Sequence, residues 1–373
     1  MSAWFLGRAC TVVAAAAALG ATTVAAAPPE RSVSALLTEL QTLYRQAETA
    51  SEAFNATEEQ LKKQRAESAR LNARLADARL ALAGGRAEAG RLAREQYQGH
   101  STLSPYLRLL LAKDPQTLLD QGHLIRRAAA GRAATVARLD GAERRAEDLA
   151  ARAKAALDVQ QALADRQKKE RDTVQSKLKQ VEKLLTSLTV GQLTELARLE
   201  QAAVDKAQRE LLESGALTHT RSPSKEGGAA VAYAVRQIGK PYKWGAEGPG
   251  SFDCSGLTQQ AWASAGRTIP RTSQEQWRRL PRVPLTEVRP GDLVVYFPQA
   301  THVAVYLGGG LVIQAPRPGT RVKVSPVAAN PLLGAVRPDP AGVPLKSYTP
   351  PRLPEGAEAG SDAGYGSATA PPP

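Results

Sequence analysis

Two patterns of apolar residues divide the chain. From Ser32 to Ser214, apolar residues recur at alternating steps of four and three within a background of Ala, Leu, Glu, Arg, Lys and Gln, and the only prolines are Pro105 and Pro115. This pattern predicts long helices. After a stretch rich in Gly, Ser and Thr, short runs of β-branched and aromatic residues follow, which predict a compact domain with strands.

The helical half predicts two long antiparallel arms. The first carries a heptad seam, with apolar members at Leu36, Leu40, Leu43, Ala47, Ala50, Phe54, Leu61, Leu71, Leu75, Ala78 and Leu82 and polar exceptions at Thr57, Gln64 and Ser68. The second returns through Val174, Leu178, Val181, Leu185 and Leu188. Glycines predict weak points, at Gly84, Gly85 and Gly99 in the first arm and near Gly131 and Gly141 in the second.

The segment between the two arms predicts a tip built from small helices. An apolar patch runs from Tyr106 to Ala112. Asp114-Pro115 follows it and is typical of an N-cap with proline at the first helical position.

Residues 229–340 predict an α+β domain. We expect one helix around residues 230–238, one from Cys254 to Ala265, and one that contains Trp277 and is capped by Thr272 or Ser273. Strands are predicted at residues 292–297, 302–307, 311–314 and 321–324. Three glycines, residues 308–310, predict a hairpin between the second and third of these strands.

Both ends of the chain predict segments outside the folded domains. Residues 1–27 are typical of an export signal, with Arg8 before an uncharged Ala-rich run that ends in small residues at Ala26 and Ala27. An uncleaved anchor is the alternative, which the short run without a polybasic flank disfavours. No later stretch reaches the length of a membrane span, so we expect a secreted, extracytoplasmic protein. Residues 215–228 predict a linker, and residues 341–373 predict a disordered Pro/Gly/Ala-rich tail.

The net charge points to an anionic partner. The chain has a formal charge of +13, and removal of Arg8 with the signal leaves +12. Nucleic acid is not expected outside the cell, and the sequence shows no recognition-helix or zinc-finger pattern. A cell wall that bears carboxylates and phosphates is the natural polyanion. The alternative is that the charge belongs to a solvated, Arg-rich helix face.

One cysteine remains once the signal is removed. Cys10 leaves with the signal, and Cys254 stands at the predicted start of a helix. Secreted proteins that use cysteines for stability normally pair them, so a single thiol indicates a nucleophile, and a helix N-terminus favours its thiolate form. A buried, inert cysteine is the alternative. Neither Cys-x-x-Cys nor His-Glu-x-x-His spacing is present, so we expect neither a metal nor another cofactor.

His302 is the candidate base by elimination. The other histidines, His100, His123 and His219, lie in the helical half or the linker, whereas His302 opens a strand of the domain that carries Cys254. A base needs a third group to hold its ring, and Gln314 is the candidate. An even hairpin register, such as Tyr306 opposite Gly310, would place His302 and Gln314 on one face, and a slip of one residue would separate them.

Five motifs in order resemble the NlpC-type cell-wall peptidases. They are Gly239-Lys240-Pro241-Tyr242-Lys243-Trp244-Gly245, Asp253-Cys254-Ser255-Gly256-Leu257, Pro270-Arg271-Thr272-Ser273, Pro290-Gly291-Asp292-Leu293 and His302-Val303-Ala304-Val305-Tyr306. The resemblance covers about residues 229–337. It implies a papain-like α+β fold and hydrolysis of peptidoglycan stem peptides, typically between D-isoglutamate and a diamino acid.

The resemblance also implies residue roles. Cys254 is the implied nucleophile, His302 the base and then the acid, and Gln314 the orienting group, where the family often has histidine. Tyr242 would support the oxyanion with the backbone N–H of Cys254. Substrate-lining roles would fall to Asp253, Ser255 and Trp244. The alternatives are core aromatics for Tyr242 and Trp244, a helix cap for Asp253 and a first-turn residue for Ser255.

The helical half, residues 28–214, resembles the coiled-coil halves of division-associated hydrolases and their activators. The patch at Tyr106 to Leu119 carries this likeness. It implies docking on a membrane partner such as the FtsE–FtsX complex, with the arms holding the peptidase inactive until release. The alternative is a rigid spacer or a self-associating coiled coil.

Three functions remain open from the sequence. The first is a secreted cysteine endopeptidase of peptidoglycan, in wall remodelling or daughter-cell separation. The second is a non-catalytic wall-binding or division scaffold, against which the retained thiol argues because an idle thiol oxidises. The third is a thiol amidase or acyltransferase, which begins with the same acyl-enzyme.

Overall fold

A computed structural model describes residues 32–98, 115–217 and 221–359. The export signal, the Tyr106–Ala112 patch with Asp114, and the last part of the tail lie outside these residues. None of the helices in the described ranges is long and apolar enough to cross a membrane.

Two long helices form the arms. Helix α1 spans Val33–Gln98 and helix α2 spans Pro115–Thr186. They run antiparallel: Gln64 donates to the Ala156 carbonyl (3.0 Å), and Arg86 pairs with Glu143 (2.8 Å) farther along. The start of α2 at Pro115 agrees with the predicted first-turn proline.

Neither arm breaks at those predicted weak points that lie within the described residues, whereas Gly99 lies outside them. Gly84 and Gly85 lie inside α1, and Gly131 and Gly141 lie inside α2. A methyl group added at Gly84, Gly131 or Gly141 would meet no atom within 4 Å, so these are open positions on the helix surface. Glycine costs a helix about 1 kcal/mol there relative to alanine, and pairing along the rest of the arms outweighs that cost.

A third helix, which the sequence analysis merged with the second arm, connects the two domains. Helix α3 spans Val190–Glu213 after a turn, and a capping box between Thr189 and Gln192 starts it. Apolar residues continue on the other side of this turn, at Leu193 and Leu196, but no longer in the register of Leu185 and Leu188. The base of the helical domain is an apolar cluster of Leu36, Leu40, Tyr44, Val181 and Leu196.

Helix α3 is fixed to the C-terminal domain at its far end. The Gln208 side chain donates to the Gly310 carbonyl (2.9 Å) and accepts from the Ala328 backbone (3.0 Å). Leu211 packs against the apolar face of the sheet. This contact fixes where the arms emerge from the C-terminal domain.

The C-terminal domain has three helices. They are α4 (Lys225–Val235), α5 (Cys254–Ser264) and α6 (Ser273–Arg279), capped by Ser224, Asp253 and Thr272. Trp262 of α5 is fully buried, and its indole N–H donates to the Gly291 carbonyl (3.1 Å). The three helices match the predicted ones, although α4 begins four residues before the expected domain start.

Six antiparallel strands form the sheet. They are β1 (Arg282–Val283), β2 (Leu293–Tyr296), β3 (His302–Gly308), β4 (Leu311–Gln314), β5 (Lys323–Pro326) and β6 (Leu332–Val336), in the spatial order β1-β6-β2-β3-β4-β5. Alternate residues of β2 and β3 face two apolar clusters, one with α4 and α5 and the other with the end of α3. The α+β fold expected from the sequence is confirmed.

The C-terminal domain is larger than the predicted residues 229–340. Strands β1 and β6 were not predicted, and they pair with each other at one edge of the sheet. The domain begins at the Ser224 cap, and residues 341–359 are part of it. Val324 of β5 donates to the Ala357 carbonyl (2.8 Å), and Ala357 is buried. The prediction of disorder therefore does not hold for this part of the tail.

Gly291 allows the Pro290-Gly291-Asp292 turn to lie against α4. Its φ is +99°, and an added methyl group would come within 2.6 Å of the Gly227 backbone.

We expect Gly291→Ala to lower the free energy of unfolding by about 2 kcal/mol or more, from the left-handed backbone and the clash together. Urea unfolding followed by circular dichroism measures the effect.

Gly250→Ala is the matched control. Gly250 is exposed, and a methyl group there would meet nothing within 4 Å. A stability loss at Gly250 equal to that at Gly291 would contradict the backbone argument.

Candidate active site

Cys254 is the first residue of α5. The Asp253 side chain caps the helix by accepting from the Gly256 backbone (2.6 Å). Gly256 is required here because any side chain would collide with the Ala246 carbonyl and the capping carboxylate. Cys254 is 3% exposed, and it is the free cysteine of the described residues.

His302, at the start of β3, lies beside the thiol. The backbone of Val303, the next residue, hydrogen-bonds to Cys254 and lowers the pKa of the thiol. On its other side, His302 Nε2 lies 2.7 Å from Gln314 Oε1. Since an amide oxygen only accepts, Nε2 carries the ring proton and Nδ1 keeps the lone pair that a base needs.

The hairpin keeps His302 and Gln314 on one face, as expected, but its register is shifted by two residues from the expected pairing. Tyr306 pairs with Val312 rather than with Gly310, and Val305 pairs with Ile313. His302 and Gln314 therefore share a face as diagonal neighbours, and their long side chains span the gap.

Ser325 of β5 extends this chain of hydrogen bonds. The Gln314 amide nitrogen donates to Ser325 Oγ (2.8 Å), and both residues are 1% exposed. Contacts at both ends of the amide hold it in the plane that presents its oxygen to His302. Sequence reasoning missed Ser325, whose only signal is its position in the strand next to Gln314.

Asp253 and Ser255 are joined by Arg271, which lies in the loop before α6. Arg271 binds both Asp253 oxygens (3.1 and 2.7 Å) and donates to Ser255 Oγ (2.8 Å). The side chain of Arg271 is 4% exposed, so this is a buried ion pair. Asp253 is thus a cap and an ion-pair partner, which was the alternative to a substrate-lining role.

Tyr242 and Trp244 lie in the loop before α5 and pack in the apolar core that contains Cys254. Tyr242 is 9% exposed and interacts electrostatically with Cys254. Burial, followed by the charge of Cys254 and those of nearby carboxylates, raises the pKa of the Tyr242 phenol. Trp244 is half-buried, and its ring meets the edge of Phe54 from α1, with centroids 4.9 Å apart.

Helix α1 fills the cleft in front of Cys254. Glu52 Oε1 accepts from Ser255 Oγ (2.7 Å) and lies 3.9 Å from Cys254 Sγ. Glu52 Oε2 accepts from the Ser273 backbone N–H at the start of α6 (2.7 Å). A carboxyl group from the helical arm therefore occupies the space next to the thiol.

Two more residues of α1 reach the same cleft. Glu48 Oε1 lies 3.5 Å from His302 Nδ1, the nitrogen that must accept the thiol proton. Asn55, fully buried, donates to Asp253 Oδ2 (3.0 Å). Glu48, Glu52 and Asn55 recur at steps of four and three, so one face of α1 carries all of them.

The titratable groups are arranged so that the thiol stays protonated. Burial raises the pKa of Cys254, and the charges of Glu52, Asp253 and Glu48 raise it further. Burial lowers the pKa of His302 to about 4. At neutral pH the site therefore holds a neutral imidazole and a thiol, so the contact between His302 and Glu48 is not an ion pair.

Residues 239–334 match the model of the NlpC/P60 family. The C-terminal part of the chain is an NlpC/P60 domain. The matched residues include Cys254, His302 and Gln314, together with the loop that carries Tyr242 and Trp244.

Relatives with descriptions of function share this part of the chain. A protein of Corynebacterium glutamicum described as a probable endopeptidase is 38% identical over 140 residues, which are 37% of this chain and 66% of the relative. The peptidoglycan endopeptidase RipA of Mycolicibacterium smegmatis is 39% identical over 131 residues, which are 30% of this chain and 26% of RipA. The solved NlpC/p60 domain of the peptidoglycan hydrolase SagA is 38% identical with a TM-score of 0.29, covering 30% of this chain and 97% of that domain.

The structure brings together the residues that the sequence singled out and adds others. His302 is hydrogen-bonded to Gln314 and adjoins Val303, whose backbone bonds to Cys254, while Tyr242, Asp253 and Ser255 lie close to the thiol and Trp244 packs against the same core cluster. The residues missed were Arg271, Ser325, Glu48, Glu52 and Asn55. Arg271 stands within a quoted motif, so it could have been found. The three residues of α1 lie off the apolar seam, so the pattern carries no signal for them.

We expect His302 to remain neutral down to about pH 5 with its proton on Nε2. Its pKa is lowered by burial, and Gln314 fixes the tautomer. Imidazole ¹⁵N shifts during a pH titration report both properties, and His302→Gln identifies the signal among the four histidines. A midpoint near 6.5, the ordinary value for histidine, or a proton on Nδ1 would contradict this site geometry.

Proposed function

We propose that this protein is a cysteine endopeptidase of peptidoglycan. The observation that carries the proposal is the Cys254–His302–Gln314 arrangement inside a matched NlpC/P60 domain. The relatives described as endopeptidases share this domain. The excess of positive charge suits an anionic wall.

The proposed reaction passes through an acyl-enzyme. His302 Nδ1 takes the proton of the Cys254 thiol as sulfur attacks the peptide carbonyl carbon. The C–N bond then breaks, and the leaving amine takes that proton from His302. A water molecule next gives a proton to His302 and attacks the thioester, which releases the carboxylic acid and returns the thiol. Gln314 holds the ring throughout, and Tyr242 with the Cys254 backbone N–H supports the oxyanion.

The finer assignment follows the family resemblance. The proposed bond joins D-isoglutamate to a diamino acid in the stem peptide. The proposed setting is wall remodelling or daughter-cell separation, after secretion by the signal at residues 1–27. Residues that line the cleft, Ser255 and Trp244, would contact the substrate once α1 leaves.

Two alternatives differ in the fate of the thiol. An amidase or acyltransferase forms the same acyl-enzyme and differs in the leaving or accepting group. A non-catalytic scaffold needs no thiol, whereas here two buried groups, Gln314 and Ser325, orient a histidine in the domain that carries the thiol. The endopeptidase remains the function that this geometry supports best.

We propose a regulatory role for the helical domain. Its support is the position of α1, which covers the thiol with Glu52 and faces the base with Glu48. A rigid spacer would not need these contacts.

We also propose that Tyr106 to Leu119 is the docking segment for a membrane partner such as FtsE–FtsX, although its side chains up to Leu118 lie outside the described residues.

Mass spectrometry of digested muropeptides tests the reaction. We expect the full-length protein to release products that have gained one water and carry a new amine terminus, and Cys254→Ala to release none. The assay should include a Glu48→Ala/Glu52→Ala variant, so that a closed cleft is not taken for lack of activity. Loss of ammonia without chain cleavage would indicate an amidase. Absence of new amine termini, or their persistence in Cys254→Ala, would overturn the proposal.

Gln314→Ala should lower kcat less than Cys254→Ala. Loss of an orienting amide typically costs about 10–100-fold, whereas loss of the nucleophile costs several further orders of magnitude. Ser325→Ala should cost less than Gln314→Ala because Ser325 acts through the amide. Initial rates on a purified muropeptide provide the comparison, and equal losses for Gln314→Ala and Cys254→Ala would mean that Gln314 does more than orient the ring.

A further inference from the structure

We propose that Glu48 and Glu52 make helix α1 a proton-dependent latch, which closes the cleft while both carboxyl groups are neutral and releases it when they ionise. This inference concerns regulation of the proposed peptidase site and rests on that function for its biological meaning. The contacts themselves are independent of which reaction the thiol performs.

The first support is the set of hydrogen bonds that Glu52 makes in the cleft. Glu52 Oε2 accepts from the Ser273 backbone N–H (2.7 Å), and Oε1 lies 2.7 Å from Ser255 Oγ, a hydroxyl that donates to a carboxylate and accepts from a neutral carboxyl group. Glu52 is 3% exposed, in a helix whose other acidic residues lie mostly on the surface. A carboxyl group with both oxygens hydrogen-bonded is a specific ligand of the cleft rather than an incidental neighbour.

The second support is the chemical form of that ligand. The Glu52 side chain presents a γ-carboxyl group on two methylene groups, with one oxygen 3.9 Å from Sγ. Hydrolysis of a γ-glutamyl bond would release the same acid at the same thiol. Glu52 thus places a product-like group where the acyl group of the proposed substrate would have to bind, so closure and substrate binding exclude each other.

The third support is the crowding of carboxyl groups around the thiol. Glu52 faces Cys254, Tyr242, Asp253 and Arg271, and Arg271 is already bound by both oxygens of Asp253. Glu48 faces His302, Tyr242, Glu52 and Arg317, with Arg45 on its own helix. An ionised Glu52 would be repelled by Asp253, and two ionised glutamates would repel each other, while Arg317, Arg45 and Arg271 offset part of this repulsion.

The protonation states agree with this geometry. Burial raises the pKa of Glu48 to about 8, and burial followed by the charge of Asp253 raises that of Glu52 to about 7. After release, both groups return to values near 4.5 in water. The closed form therefore binds protons that the open form loses. Closure is strongest below about pH 5 and weakens as pH rises toward 8.

Alkylation of Cys254 by iodoacetamide tests the latch without requiring hydrolysis. The rate is measured from pH 5 to 8 on the full-length protein and divided at each pH by the rate of Glu48→Ala/Glu52→Ala, which corrects for thiol ionisation. We expect wild type to react at least about tenfold more slowly than this open variant at pH 6, and the difference to shrink at least about tenfold by pH 8.

Neutral variants separate the charge from the contact. Glu48→Gln/Glu52→Gln keeps the size of both groups and, like a neutral carboxyl group, offers at residue 52 an oxygen to the Ser273 N–H and a donor to Ser255 Oγ, so its normalised rate should stay low up to pH 8. Glu67→Gln, an exposed glutamate of the same helix, should follow wild type. If the double variant does not fold, as judged by circular dichroism, Glu52→Gln alone should show a shallower pH dependence than wild type.

Two results would overturn the latch. Wild type as reactive as the open variant at pH 6 would show that the cleft is not closed in solution. Glutamine variants as reactive as the open variant at pH 8 would show that closure does not depend on protons. Neither result concerns peptidoglycan cleavage, so failure of the latch and failure of the proposed function can be told apart.

Discussion

The Asp253 carboxylate is the point on which the site depends. It caps the helix that begins with Cys254, pairs with buried Arg271, and accepts from the Gly245 backbone (2.9 Å) and from Asn55 of α1. The nucleophile, the adjacent loop and the helical arm thus converge on one buried charge. Removing one partner of a buried ion pair typically costs about 3–5 kcal/mol because the other charge stays behind. Asp253 therefore serves catalysis through the position of its neighbours.

This arrangement sets the electrostatic state of the thiol. A helix N-terminus favours a thiolate by an attraction that is confined to the first turn. Against it stand burial and the carboxyl groups of Glu48, Glu52 and Asp253, which together raise the pKa of Cys254. Burial comes with α1, and so do two of these carboxyl groups, whose charges add to the effect once they ionise, so the helix that covers the thiol also keeps it protonated. Helix α1 therefore both covers the thiol and helps to raise its pKa.

Much of the C-terminal domain could be predicted because short stretches of its sequence are enough to indicate its helices and strands. Cys254 follows a capping residue, and the strands of His302 and Gln314 have β-branched patterns joined by three glycines. It could be predicted that His302 and Gln314 share a face of the hairpin, whereas the exact pairing of residues depends on a bulge between Tyr306 and Gly308. Strand β6 was missed because Leu332–Val336 is short and contains a glycine, and it becomes a strand only by pairing with β2.

The hydrogen bonds between Glu52 and the cleft could not be predicted, because they join residues about two hundred positions apart in the sequence. In a heptad pattern, a polar residue off the seam is assigned to solvent, and Glu48, Glu52 and Asn55 fit that assignment. Only the path through α3 and its contact with Gly310 turns this face toward the cleft.

The continuity of α1 gives that contact a mechanical consequence. At 1.5 Å per residue, a helix of 66 residues is about 100 Å long. Glu52 lies about 30 Å from its first residue and about 70 Å from its last. Since Gly84 and Gly85 do not break the helix, a sideways displacement at the far end rotates the whole rod about its anchored base, where Leu40 and Leu196 pack. A broken arm would absorb that movement at the glycines, and the cleft would not be affected by it. In the regulatory role proposed for the helical domain, the unbroken helix would tie the position of Glu52, and with it the access to Cys254, to movement of the far end of α1.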